Sequence, residues 1–294
     1  MKKFLLTSLV IIAIAAFLVG IGFIAFRFLE NRNTQLPGIS QEQAEKKSAQ
    51  EKKKERKAKQ EVLVETVKEI FAAVSPGTSA SLAVYDLKHN EYFGFNDTDP
   101  QHAASVSKIL TAVYVLDQVE KGKASLADPL GAYNVEFQLE KTINQSDPET
   151  WALLDQRFDP VEQNKFAKQI GLTSTDIRLG KNLMSPKDVA TLLKKLAKGE
   201  LLKEIHRDKL FSYMQKTESE NFFSPAFKLT GVTFYHKTGK LEGEAHDAAI
   251  VNHLDNPFVL VIFSVNNSNL DPNTRAPVME KSAAAVLDYF DNLD

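Results

Sequence analysis

Strand-like segments stand on either side of one long helical stretch, and that placement limits what the chain can fold into. Ala80 to Tyr85 and Glu91 to Phe95, joined by Lys88-His89-Asn90, have the composition and turn residues of a β-hairpin. Three further strand-like runs come later: Gly231 to His236, Ala245 to Asn252 and Phe258 to Val265. Between the two groups, from Ser105 to about Ala197, the pattern is mainly helical, with Ile109, Ala112, Val113, Leu116 and Val119 on an apolar face. Ser185-Pro186 predicts a helix start, a serine cap followed by proline at the first helical position. Val62, Val67, Ile70, Phe71 and Val74 predict a helix face that stops at Ser75-Pro76-Gly77, and a last helix is expected over Val278 to Leu293. A sheet assembled from both ends of the chain, with a helical lobe inserted between them, is an α+β architecture.

The region ahead of this domain differs in character. Phe4 to Phe26 is apolar apart from Thr7, Ser8 and two glycines. A bilayer-spanning helix needs about 20 such residues, so residues 1–30 are expected to be a transmembrane anchor. Cleavage after Ala13-Ile14-Ala15 is the alternative, a signal peptide, but the apolar run continues past that point. Lys2 and Lys3 on one side and Arg27 and Arg32 on the other leave the orientation open by charge. Residues 31–61 form a charged spacer. From Ser40 it is rich in Gln, Glu, Lys and Ala and has no apolar stripe, so a solvated helix or flexible stalk is expected. Residues 62–294 then form the folded domain.

Composition removes several function classes. The 294 residues carry a net charge of -2, which gives no reason to expect a nucleic-acid partner. There is no cysteine, hence no disulfide, thiol nucleophile or thiolate metal site. The six histidines do not cluster at ligand spacing, and no H-E-x-x-H, G-x-G-x-x-G or P-loop occurs. No metal or cofactor is expected.

Three short strings remain: Ser105-Val-Ser-Lys108, Ser146-Asp147-Pro148 and His236-Lys237-Thr238-Gly239. Ser105 stands where a helix should begin, which is also where a plain N-cap would stand. A capping box, however, wants Glu or Gln three residues on, and this chain has Lys108. A cation in the first turn opposes the helix dipole at a cost of about 0.3–1 kcal/mol. One helical turn brings the Lys108 amine to the face that carries Ser105, where a lowered pKa would let it take the hydroxyl proton. Ser146-Asp147-Pro148 taken alone is a turn ahead of a helix over Glu149 to Leu154. Lys237-Thr238-Gly239 ends a strand-like run, where the bland reading is an exposed strand end with a glycine turn.

In this order, with helix between the first two and a strand under the third, the strings resemble the active site of penicillin-recognising serine enzymes, the class A β-lactamases and D-alanyl-D-alanine peptidases. The resemblance covers roughly residues 62 to 294. It implies a mainly antiparallel five-stranded sheet flanked by helices, beside an all-α lobe, with the active site in the cleft between. It also implies that Ser105 is the nucleophile, that Lys108 takes its proton, and that Ser146, with Lys237 behind it, returns a proton to the leaving nitrogen. Lys237 and Thr238 would bind the substrate carboxylate. Gly239 would let the substrate approach, and the N–H of Lys240 would join that of Ser105 in an oxyanion hole. The implied substrate is a β-lactam or a cell-wall peptide, met outside the cytoplasm.

The chain departs from the pattern in two places. The second motif in the family reads S-D-N or S-x-N, and Pro148 offers neither the amide side chain nor a backbone N–H. Class A enzymes also place a deacylating glutamate in an R-x-E-x-x-L-N context, and residues 171–185 contain no glutamate. Asp176 is a shorter carboxylate in that stretch. Acylation is therefore expected and rapid lactam turnover is not. The choice between β-lactamase and D-alanyl peptidase stays open, and the bare loop motivates a third reading, a non-catalytic relative that binds cell-wall peptide.

Overall fold

A computed structural model describes residues 41–178, 180–268 and 271–293. The expected anchor at residues 1–30 lies outside the described residues. Among those described, no helix is long and apolar enough to cross a membrane. The chain divides into two compact units, Met1–Lys57 and Ala58–Asp294.

Helix α1 (Gln41–Val74) is unbroken over residues that include the latter part of the spacer. Its later turns bury Leu63, Val67 and Phe71, one residue every four, and partly bury Ile70 and Val74. Val62 was expected on that face and is 66 % exposed. At about 100° per residue, the stripe through 63, 67 and 71 turns position 62 away.

The sheet has the order β2-β1-β9-β8-β7, with β1 (Ser79–Asp86), β2 (Glu91–Phe95), β7 (Thr233–Leu241), β8 (Glu244–Asn252) and β9 (Phe258–Val265). Every pairing is antiparallel, so both groups of strands do enter one five-stranded sheet. Registers such as Val84↔Leu260, Ala248↔Val261 and Lys237↔Ala248 tie the motif strand to the first hairpin across three neighbours. The central β9 reads as an unbroken apolar run because both faces are covered. Its Leu260 and Ile262 pack with α1 and α9 (Ala276–Asp291), while Val259, Val261 and Phe263 join the opposite core.

That second core holds the inserted helices: α2 (Lys108–Glu120), α3 (Val135–Glu140), α4 (Pro148–Arg157), α5 (Pro160–Gln169), α6 (Pro186–Ala197) and α7 (Glu204–Tyr213). Short strands β3 (Gln101–His102) and β6 (Leu183–Met184) pair with each other, as do β4 (Pro129–Leu130) and β5 (Tyr133–Asn134). The Ser185 hydroxyl caps α6 at Asp188 N, as the Ser-Pro pair predicts. Helix α8 (Ser224–Thr230) lies with the α9 core.

One expectation about the third motif is corrected. Lys237-Thr238-Gly239 does not end its strand; β7 continues to Leu241. Pairing with β8 extends it through Gly239↔His246 to Leu241↔Glu244, a tertiary effect that local propensity does not report.

Candidate active site

Ser105 lies in a 3₁₀ turn, Ala104–Ser107, that feeds directly into α2. Its neighbours Ala103, Ala104, Val106, Ser107 and Lys108 are all buried, and Ser105 alone among them keeps exposure. Ser105 is not a capping residue: the turn has no side-chain cap, and neither has α2. The turn is held from both sides. Ala104 sits at φ +46, a region L-residues rarely adopt, where strain persists only if the surroundings impose it. Asn182 imposes it here. Its carbonyl accepts from Ala103 N at 2.9 Å, and its Nδ2 donates to the Ala104 carbonyl at 3.0 Å. The Ser107 hydroxyl donates to the same carbonyl at 3.0 Å.

β7 presses on this turn. A Cβ at Gly239 would lie 3.0 Å from Ala103 O, 3.1 Å from Ala104 Cβ and 3.2 Å from Ser105 N. The glycine thus makes room for the Ser105 turn itself, a reason distinct from the substrate approach expected from sequence. β7 is an edge strand, and His236 N donates away from β8, to Met214 O at 2.9 Å. N–H groups two residues apart in a strand point the same way, so those of Thr238 and Lys240 also point off the free edge. The Lys240 N–H therefore faces outward, one residue beyond the glycine that touches Ser105 N. The Lys240 side chain turns elsewhere, donating to Asn221 Oδ1 at 2.6 Å and Asn273 Oδ1 at 3.0 Å. Thr238 is buried between Lys237 and Gly239.

Ser146 joins two amines. Lys108 Nζ donates to the Ser146 carbonyl at 2.6 Å, and Lys237 Nζ donates to its hydroxyl at 2.9 Å. Ser146 adopts φ +59, which turns its carbonyl and hydroxyl to these two donors. Lys108 and Lys237 are each only 2 % exposed. Burial pushes the Lys108 pKa down to about 8 against the pull of Asp147 and Asp155. Burial, then the Lys108 charge, brings Lys237 down to about 7. On each amine burial thus outweighs the nearby carboxylates, which suits proton transfer near neutrality.

The second motif is a turn and a helix start as well. Asp147 caps α4 by accepting from Thr150 N at 2.8 Å, and Pro148 occupies the first helical position. One turn on, the Trp151 ring lies under Lys108, with Nζ 5.0 Å from a ring centroid. The indole N–H donates to the Thr111 hydroxyl at 3.1 Å, which donates to Gln163 Oε1 at 2.7 Å. Gln163 Nε2 in turn donates to Asp155 Oδ1 at 2.8 Å. Asp176, in the stretch without glutamate, is committed to Arg178 by two hydrogen bonds of 2.8 and 2.6 Å.

Sequence reasoning missed three supports of this site: Asn182, Trp151 and the ion cluster at His236. In the last, His236 and Asp247 are fully buried and Glu220 partly so, with Asp247 Oδ1 at 3.1 Å from Nδ1 and Glu220 Oε1 at 3.2 Å from Nε2. Only the adjacency of His236 to the third motif hinted at it.

The geometry agrees with what similarity gives. A family profile described as the β-lactamase enzyme family matches residues 62–290. Among solved structures, PBP-A aligns at TM-score 0.69 and 23 % identity, over 76 % of this chain and 95 % of that one. A β-lactamase from Chitinophaga pinensis aligns at TM-score 0.69 and 22 % identity, over 77 % and 98 %. An ancestral class A β-lactamase aligns at TM-score 0.71 and 20 % identity, over 78 % and 100 %. No curated protein sequence matches the chain significantly. The fold is that of class A β-lactamases, and the chain belongs to the β-lactamase enzyme family of serine hydrolases.

Proposed function

We propose that this protein forms an acyl-enzyme at Ser105 with β-lactams or D-alanyl peptides. Neutral Lys108 takes the hydroxyl proton as Ser105 Oγ bonds to the carbonyl carbon. The N–H groups of Ser105 and Lys240 receive the developing oxyanion. As the carbon–nitrogen bond breaks, the Ser146 hydroxyl gives its proton to the leaving nitrogen, and Lys237 replaces it. Lys237 and Thr238 bind the substrate carboxylate, and Gly239 keeps the turn and the strand in contact. The observation that carries this reading is the pair of buried amines meeting at Ser146 beside the Ser105 turn.

Deacylation is the slow step in this reading. Residues 171–185 lack a glutamate, and Asp176 is occupied by Arg178. This favours a peptidase or penicillin-retaining protein over a fast lactamase. A structure of a point mutant of PBP-A, in an acyl-enzyme complex with penicillin G, aligns at TM-score 0.70 and is 23 % identical. That shared fold is compatible with acylation here. Nitrocefin turnover measured beside retention of a fluorescent penicillin separates the readings. Stable labelling without turnover fits the peptidase, and turnover lost in Ser105→Ala fits the lactamase. Absence of any adduct together with muropeptide binding would favour the non-catalytic relative that Pro148 motivates.

We also place the domain outside the cytoplasm, held by the apolar segment Phe4–Phe26 and the charged spacer of residues 31–61. Release from membranes by detergent but not by high salt or carbonate is the expected behaviour.

A further inference from the structure

A cavity of about 640 Å³ opens beside the nucleophile turn, and none of the three motifs accounts for its far end. Pro148, Trp151, Val161 and Ile177 provide apolar walls, and Asn182, which holds the Ala104 carbonyl, closes one side. The cavity therefore adjoins the Trp151 ring that carries Lys108 and lies among α4, the start of α5 and a third wall that includes Ile177 and Asn182.

Its charges are unbalanced. Arg178 is the cation in its wall, and Asp176, which lies outside the cavity, already neutralises it. The carboxylates in the wall are Asp155 and Asp159. Asp155 receives one hydrogen bond, from Gln163, on Oδ1. Asp159 receives one, from Val161 N at 2.9 Å, also on Oδ1. Lys108, the nearest cation to Asp155, donates instead to the Ser146 carbonyl. Each carboxylate thus keeps an oxygen without a protein donor among the described residues. A neutral apolar group would make no charge-assisted bond to either, and an anion would be repelled.

We infer that this cavity binds a primary ammonium on a short aliphatic stem, the stem against Trp151, Val161 and Ile177 and the ammonium at Asp155 and Asp159. The inference rests on the acyl-enzyme reading only for its role: such a group would be the side chain on the acyl portion of the substrate. The binding itself needs no acylation. The stem buries apolar area, and the head gains charge-assisted hydrogen bonds with the half-buried Asp155 and the exposed Asp159.

Trp151 is the only tryptophan in the chain and lines the cavity, so its fluorescence reports occupancy directly. The test titrates the full chain in detergent with pentylammonium and, separately, with 1-pentanol as the neutral isostere. Pentylammonium should bind about tenfold more tightly, a difference of about 1.4 kcal/mol. The preference should shrink with added salt and fall toward one in Asp155→Asn and in Asp159→Asn. Asparagine still caps α5, so Asp159→Asn preserves the helix start if Asp155→Asn folds poorly. Equal affinity for the two probes, or a preference that neither variant alters, would overturn the inference. Labelling by fluorescent penicillin is followed in parallel. Ammonium preference without labelling would leave the cavity assignment standing and remove the acyl-enzyme reading, and labelling without preference would do the reverse.

Discussion

His236 and Lys237 are neighbours on β7, yet the two sides of the strand handle charge in opposite ways. On one side His236 is enclosed with Asp247 and Glu220, and these carboxylates outweigh the effect of burial and raise its pKa to about 9. On the other side Lys237 and Lys108 meet at Ser146, where burial dominates and both pKa values fall. A buried cation with two counter-charges stays protonated and holds structure together. On Lys108 and Lys237 burial outweighs the nearby carboxylates, so each amine gives up its proton closer to neutrality. The difference separates the part of β7 that anchors from the part to which the proposed mechanism assigns proton transfer.

The largest effect should come from the reactive side. Lys108→Arg keeps a cation of similar reach that cannot lose its proton. Acylation by penicillin should fall by about 10²–10⁴-fold, the range for loss of a general base. Lys108→Met should fall as far, while urea unfolding shows stability kept or raised, because an uncompensated amine has left the core. Acylation near the wild-type rate in Lys108→Arg would break the comparison.

The anchoring side should show the converse. His236→Ala leaves Asp247 fully buried and Glu220 without their shared cation. Removing one partner of such a cluster costs about 3–5 kcal/mol, to be read by urea unfolding. A loss below about 1 kcal/mol would mean that the cluster is not the support described above.

Gly239→Ala tests the contact between the two motifs. The new methyl meets backbone at 3.0 to 3.2 Å, so the Ser105 turn or β7 must shift. Overpacking of this kind costs about 1–3 kcal/mol. The acylation rate should drop out of proportion to stability, since the displaced atoms include Ser105 N.

The smallest and most diagnostic effect is pH dependence. For His236 the folded pKa, about 9, lies above its ordinary 6.5. Its stabilisation is complete below about 6.5 and is lost as pH rises through 9. For Lys108 and Lys237 the folded values, about 8 and 7, lie below 10.5. The unfolded chain binds more protons between those limits, so stability from these groups rises as pH goes from about 7 to 10.5. The two trends oppose each other in wild type. His236→Gln should unmask the rise, and Lys108→Met with Lys237→Met should unmask the fall.

Much of this arrangement was legible in the sequence, and the rest was hidden for physical reasons. The five strands were visible because alternating or continuous apolar runs such as Phe258 to Val265 reflect sheet faces directly. The three motifs were visible because the resemblance to the family rests on particular residue types in a fixed order. What could not be read was set by contacts between distant segments. Leu241 belongs to β7 because Glu244 pairs with it. Asn182 holds a turn 78 residues away. Trp151 supports Lys108 only once α4 folds back beside α2. That Gly239 also makes room for Ala103 to Ser105 is a contact far across the sequence that no local pattern reports.

Intact-mass spectrometry of the full chain after penicillin exposure, with peptide mapping, tests the central claim most directly. The account predicts one covalent adduct per chain, on the peptide containing Ser105, absent in Ser105→Ala and slow to form in Lys108→Arg. An unmodified wild-type mass, or an adduct that persists in Ser105→Ala, would contradict it.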